Sequence, residues 1–259
     1  MKQSRNNRIK QYLFVIRELT GRELKRKYSR SKLGIVWSVL NPLLNMIVLS
    51  LIFSQMFKRS IENFPVYYLC GSVLWSLFTT STQTAMTALV DNKQMLIKVK
   101  IPMQVFVISR VYTAFVNFIY SLIAFIPILI VFRIKLNYTI LFLVVIVSFE
   151  LMFTVGFSYL LSIGYVFFGD VRHLYGILLT LWMYLSAIFY PVERLPAAMI
   201  TVVANNPAYL FIDGMRWIVL ENVLPPARSV FKMIVWSVLV YLIGNLVFQK
   251  NKNKVMQKL

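Results

Sequence analysis

The stretch LNYTILFLVVIVSFELMFTVGFSYLLSIGYVFF, residues 136–168, carries a single charged side chain, Glu150. A helix needs about 20 mostly apolar residues to cross a hydrocarbon core about 30 Å thick, so this stretch is long enough to span a bilayer. Working outward from it, five more stretches of the same character lie at 33–57, 64–90, 103–132, 174–190 and 232–249. The fold class that follows is an all-α polytopic membrane protein with six transmembrane helices. An even number of crossings returns the C-terminus to the side of the N-terminus. Of the 28 Lys and Arg residues, 20 then fall on segments sharing that side, 11 of them before the first span. Basic residues mark the cytoplasmic side, so the expected orientation is N-in and C-in.

Composition supports the same class. With 59% hydrophobic and 14% charged residues and a mean hydropathy of +0.69, the chain is too apolar for a soluble or disordered domain. A net charge of +19 would suggest nucleic acid in a soluble protein. Here the cations sit at span ends and in tails, which reads as topology and contact with anionic lipid headgroups, with no nucleic-acid partner. One cysteine, Cys70, and one histidine, His173, supply neither an intrachain disulfide nor a metal cluster. The first 32 residues lack a signal-peptide core and cleavage site, so the basic N-terminus is expected to be retained in the cytoplasm.

Three regions lie outside the simple spans. In residues 1–32, Ile9, Tyr12, Leu13, Ile16, Leu19, Leu24 and Tyr28 cover about half of a helical wheel among Arg and Lys, which predicts a helix in the cytoplasmic interface. The segment 191–226 is too polar to span and too apolar for an exposed loop. Its two apolar pieces, 197–204 and 208–220, are separated by Asn205-Asn206-Pro207, and neither is long enough to cross. A re-entrant pair of short helices on the outer side, before the last span, satisfies the backbone by burying it in protein or along a cavity. Residues 250–259 form a basic cytoplasmic tail. Residues 33–249 make one transmembrane domain without internal repeats.

No catalytic constellation emerges: His173 is alone, no serine stands in a nucleophile-elbow motif, and the acids are scattered. No G-x-x-x-x-G-K-[ST] phosphate loop is present, so active transport would need energy from a partner or an ion gradient. The chain is therefore expected not to be an enzyme and to carry no cofactor. Glu150, deep in a span, should face protein or water, or be protonated. Aromatic residues near span ends, among them Tyr67, Trp75, Phe78, Tyr112, Trp182, Tyr184, Phe189 and Tyr190, fit either an interfacial belt or a sugar-compatible channel lining. The inner loop DNKQMLIKVKIP, residues 91–102, mixes polar residues with Met95, Leu96, Ile97 and Val99 ahead of Pro102. It predicts a short cytoplasmic helix suited to docking a soluble partner.

Four stretches then carry a resemblance: RKYSRSKLGIVWSVLNPLLNMIVLSLIF (26–53), NKQMLIKVKIP (92–102), GDVRHLYGILLTLWMYLSAIFYPVERLP (169–196) and NNPAYLFIDGMRWIVLEN (205–222). Their order resembles the membrane subunit of bacterial ABC exporters for cell-surface polysaccharides, the family of O-antigen, capsular polysaccharide and teichoic acid permeases. Ile101 and Met103 depart from the family's pattern, an aromatic before the proline and a charge after it. The resemblance implies a homodimeric channel in the bacterial plasma (inner) membrane, with two separate nucleotide-binding subunits docked below. ATP turnover there would move a lipid-linked glycan outward.

Carried onto this chain, the resemblance makes Asn92, Lys93, Gln94, Met95, Leu96, Ile97 and Lys98 the coupling helix. Ile9, Tyr12, Leu13, Ile16, Arg22, Lys25 and Arg26 belong to the interface helix. Leu195, Asn205, Asn206, Pro207, Asp213, Arg216 and Trp217 belong to the outer gate. Three other readings remain open: an ABC permease for a drug or lipid, a gradient-driven carrier using Glu150, and a membrane-embedded glycan-modifying enzyme.

Overall fold

A computed structural model describes residues 2–29, 34, 36–57, 61, 63–98 and 101–259. Among the described residues there is no strand; the chain is a bundle of helices joined by short connections. In chain order these are α1 (Lys2–Tyr28), α2 (Val36–Phe57), α3 (Phe64–Met86), α4 (Ala88–Asp91), α5 (Lys93–Lys98) and α6 (Gln104–Val131). They are followed by α7 (Leu143–Phe167), α8 (Val171–Leu185), α9 (Ala197–Ala204), α10 (Pro207–Val219) and α11 (Ala227–Lys258). A 3₁₀ turn at Tyr138–Phe142 leads into α7.

Three stretches among the described residues are long and apolar enough to cross a membrane: Gln104–Val131, Tyr138–Phe167 and Ala227–Lys258. A shorter apolar stretch runs over Leu40–Phe53 within α2. Helix α3 has the length, but its run of Ser, Thr and Gln from Thr79 to Thr84 makes it more polar. Many of its hydroxyls bond back to carbonyls one turn earlier, as Thr79 to Trp75, Thr82 to Phe78 and Thr84 to Thr80 do at 2.7–2.9 Å. That pattern satisfies these three hydroxyls inside an apolar bundle, whereas the buried Ser81 Oγ between them has no partner among the described residues.

Helices α7 and α11 form the most extensive pairing in the bundle. Two glycines make it possible. A Cβ added to Gly244 would lie 2.1 Å from the carbonyl oxygen of Gly156, and one on Gly156 would lie 2.5 Å from Cα of Tyr241. Small residues at a crossing let backbones approach, the main source of helix affinity where lipid removes the hydrophobic contrast.

The buried side chains divide between the two ends of the bundle. The larger core joins α3, α6, α7 and α10 through Phe64, Leu69, Phe78, Phe118, Phe153 and Phe211. At the other end Leu19, Leu89, Leu96, Phe106, Tyr159, Phe248 and Val255 gather, so α1, α4, α5, the start of α6 and the last turns of α11 share one end. The N- and C-terminal helices therefore meet at the same end. Helices α9 and α10 lie at the opposite one.

Several elements differ in their bounds from the sequence-based expectation; the helix expected over 64–90 is interrupted at Thr87 between α3 and α4. The helix expected over 174–190 runs from Val171 only to Leu185, and at about 1.5 Å per residue its 15 residues reach roughly 22 Å. It stops because Ala187 takes a left-handed φ of 47°, and the carbonyls freed beyond it are held by side chains from α3 and α10. The segment read as a basic tail, 250–259, is helical and continues α11 to Lys258. Val255 is fully buried there, and Lys258 Nζ donates to the carbonyl of Phe167 at 2.9 Å.

Candidate translocation site

At the α9–α10 end, Asn205-Asn206-Pro207 separates the two short helices. Pro207 opens α10, where a missing N–H costs nothing, and Asn206 Oδ1 accepts from Ala208 N at 3.1 Å as the cap. The same oxygen accepts from Trp182 Nε1 at 2.7 Å, while Asn206 Nδ2 donates to Leu185 O at 2.9 Å and Ser186 Oγ at 3.2 Å. Asn206 thus ties the tip to the end of α8. From the other side Lys232 of α11 donates to Asn205 Oδ1 at 2.8 Å.

Behind the tip lies an aromatic cluster. Phe78 sits 5.2 Å from Trp182, centroid to centroid, in an edge-on arrangement, and 5.6–5.7 Å from Phe153 and Phe157; Trp75 and Phe211 complete the group. Glu150 is buried against Trp75, Phe78, Phe153 and Phe211, and its Oε2 has no hydrogen-bond partner among the described residues.

Arg216 of α10 is buried and organises the chain beyond α8. Its Nη2 donates to the carbonyls of Ala187 and Ile188 at 3.0 and 3.2 Å, and its guanidinium carbon lies 3.5 Å from the ring centre of Tyr67. The cation is stacked on an aromatic face and bonded to carbonyls, with no direct ion pair and with Nε unpartnered among the described residues. The Tyr67 hydroxyl donates in turn to Tyr190 O at 2.9 Å.

Asp213, one turn before Arg216, accepts from Tyr209 Oη at 3.1 Å and Trp217 Nε1 at 3.0 Å. Burial pushes its carboxyl above the usual range, against the opposing pull of those donors and of Arg216. These residues, with Glu193 and Glu221, line a cavity of about 490 Å³.

A second cavity of about 410 Å³ opens between α2, α3 and α6. Its walls carry Asn41, Asn45, Ser72, Ser76, Thr79, Thr80, Asn117 and Ser121, with Trp37, Tyr68 and Trp75 among them and Lys27 near one end. A wall dense in amides and hydroxyls is costly against lipid and suits water or a hydroxylated solute.

The expected lining residues separate into groups. Trp75, Phe78 and Trp182 come together, with Phe78 inside the packed cluster. Tyr67 and Tyr190 join around Arg216. Phe189 bridges Tyr68 and Tyr184, whose centroids lie 5.9 and 6.3 Å away. Tyr112 stands apart on α6, near Phe115. The polar residues of the α2–α3–α6 cavity escape a search for aromatics, although Ser72, Ser76 and Thr80 recur at four-residue spacing along one face.

On the loop expected to couple to a partner, Asn92 precedes α5 and is buried, with Nδ2 donating to Ala88 O at 2.8 Å. Leu96 faces the core at 5% exposure, whereas Ile97, the next residue round the helix, is 65% exposed. Lys93, Gln94 and Lys98 are exposed and Met95 is half-buried. On α1, Leu19 is buried, Tyr12 and Ile16 are half-buried, and Leu13 and the basic Arg22, Lys25 and Arg26 are exposed. The side chains of Ile9 and Tyr28 lie outside the described ones.

The chain is 30% identical over 256 residues, 96% of each chain, to the O-antigen export system permease protein RfbA of Myxococcus xanthus. Two relatives from Klebsiella pneumoniae with the same description are 26% and 27% identical over 215 and 211 residues. Those alignments cover 82% and 79% of this chain and 83% and 80% of theirs. Residues 15–220 match the ABC-2 type transporter family. The chain therefore belongs to that membrane family, as a multi-pass, non-enzymatic permease of the inner membrane that works with an ATP-binding partner.

Proposed function

We propose that this chain forms the channel of an exporter that carries a lipid-linked cell-surface polysaccharide of O-antigen type from the cytoplasmic to the outer side of the membrane. Two copies would enclose the path, and two nucleotide-binding subunits would supply the work of ATP hydrolysis. The observation that carries the reading is the near end-to-end correspondence with an O-antigen export permease. The polar α2–α3–α6 cavity adds a wall chemically suited to a hydroxylated polymer.

The proposed topology has six crossings, with both termini inside. Support comes from α1 and the last turns of α11 packing at one end, as an even number of crossings requires. The helices α9 and α10 then form the outer gate, and α1 and α5 face the nucleotide-binding subunits. Glu150 lines its small void together with Trp75, Phe78, Phe153, Ala208, Phe211 and Ile212.

The test is deletion of the gene and complementation in its native host. Loss of surface polysaccharide, with lipid-linked glycan accumulating on the inner face and recovery on complementation, is the expected result. Undisturbed surface polysaccharide in the deletion strain would exclude this role.

A further inference from the structure

Arg110, near the start of α6, is a buried guanidinium with two carboxylates from two other elements. Its Nη1 lies 2.6 Å from Glu23 Oε2 of α1, and its Nη2 donates to Asp91 Oδ2 at the end of α4, 3.1 Å away. The side chains of Arg110 and Glu23 are only 10% and 14% exposed. A second bridge crosses the same junction. Arg22 Nη2 donates to Asn92 Oδ1 at 2.8 Å, and Asn92 is itself anchored through Nδ2 to Ala88 O. Arg22 also lies 3.7 Å from Glu23, so two arginines and two carboxylates form a neutral cluster.

We infer that Arg110 is a positioning residue that locks α1, the α4–α5 segment and α6 into one rigid unit, so that force applied at α5 reaches the membrane helices without slack. This rests on the proposed function, which assigns α5 and α1 to the nucleotide-binding subunits. Helix α5 is only six residues long and cannot hold its own orientation. A planar fork engaging one carboxylate on each side fixes angle as well as distance, which a lysine's single ammonium does not. The cluster lies at the edge of the bundle, where one carboxylate, Asp91, stays half-exposed. Removing the central cation would leave Glu23 buried without its main partner and cut the ion-pair link between α1 and α4, leaving only the Arg22–Asn92 bond across that junction. Below it, Thr113 Oγ1 donates to Thr20 Oγ1 at 3.2 Å, so α1 and α6 remain in contact even when the ion pairs are cut. The loss would therefore appear as slack rather than as detachment.

The test uses the full chain in lipid nanodiscs, with Cys70→Ser and spin labels on cysteines replacing the exposed Lys25 of α1 and Lys93 of α5. A narrow distance distribution is expected, broadening in Arg110→Met and broadening less in Arg110→Lys, which keeps the charge between Glu23 and Asp91 without the fork. In the complex with its nucleotide-binding subunit, Arg110→Met should still assemble and hydrolyse ATP, with glycan exported per ATP falling about tenfold, within the range for residues that link two sites. Arg110→Lys should recover part of that loss, because it restores the charge and not the fork. If Arg110→Met fails to accumulate, Glu23→Gln with Asp91→Asn replaces it, and the same broadening is expected. An unchanged distribution in whichever variant accumulates, or Arg110→Lys as narrow as wild type, would overturn the lock. A wild-type complex that hydrolyses ATP and moves no glycan would sink the export reading instead, and leaves the distance measurement standing.

Discussion

The indole N–H of Trp182 and the side-chain oxygen of Asn206 meet at 2.7 Å, joining the end of α8 to the start of α10. The indole N–H is the one polar group Trp182 can place in that aromatic environment, and Asn206 Oδ1 accepts it while Nδ2 donates to Leu185 O and Ser186 Oγ. The consequence is a hierarchy of cost. Trp182→Phe keeps the ring packing and leaves Asn206 Oδ1 its bond from Ala208 N, so a loss of about 1 kcal/mol is expected. Asn206→Ala removes the cap and leaves buried donors unpaired, for about 2–3 kcal/mol. Thermal unfolding of the detergent-solubilised protein should rank wild type above Trp182→Phe, and that above Asn206→Ala. A reversed order would mean that the tip is held by something else.

The Gly156–Gly244 crossing gives a sharper contrast. An alanine at Gly244 would place Cβ 2.1 Å from a backbone oxygen that no side-chain rotation can move, so α7 and α11 must separate. Gly244→Ala should cost about 3 kcal/mol or more and reduce the folded yield in membranes. Gly176 in α8 meets nothing within 4 Å of its added Cβ, so Gly176→Ala should be neutral or stabilise by up to about 1 kcal/mol through helix propensity. Equal behaviour of the two variants in a melting assay would contradict the close crossing.

On α5 the opposed burial of Leu96 and Ile97 separates docking from folding. Ile97→Asp adds a charge on an exposed face and should leave yield and melting temperature near wild type while weakening co-purification with the nucleotide-binding subunit. Leu96→Asp buries an unpaired carboxylate in the core and should lower the folded yield itself. Co-purification at wild-type strength with Ile97→Asp would remove α5 from the contact. The purified chain alone should hydrolyse no ATP, since it lacks a phosphate loop.

Helix existence was legible where apolar runs are long: 103–132 against the observed Gln104–Val131, and 136–168 against Tyr138–Phe167 with its 3₁₀ lead-in. What each helix faces was not. In α7 the apolar residues surround the axis, so hydrophobicity alone gives no inward side. Glycines 156 and 244 set the crossing, and their partnership depends on register between distant segments. The early end of α8 is equally remote from its cause, because Arg216 on α10 supplies the donors that let the backbone turn at Ala187. Arg110 reads in the sequence only as one more cation at the start of the 103–132 span, since Glu23 lies on another helix. Asn205-Asn206-Pro207 was readable because capping and proline rules act locally.

The topology of 191–226 can be decided by chemical labelling, and the geometry selects the positions. Cys70 is fully buried, so it should be unreactive before denaturation, and Cys70→Ser gives a clean background. For the two flanks, Leu195→Cys and Glu221→Cys are preferable to Asn222→Cys, because Asn222 has a left-handed φ of 57° that a cysteine adopts only with strain. Helices α9 and α10, of 8 and 13 residues, reach roughly 12 and 20 Å, short of a hydrocarbon core about 30 Å thick. Both flanks should therefore react with a membrane-impermeant thiol reagent added outside intact cells. Asn206→Cys, buried at the tip against Trp182 and Ser186, should react more slowly, and faster when ATP-trapped complexes hold the channel open. Labelling of Glu221→Cys only from the cytoplasmic face would make this segment a true crossing. It would also reverse α11 and carry the C-terminal lysines outside, separating Val255 and Lys258 from the partners they hold on α7 and at the α1 end.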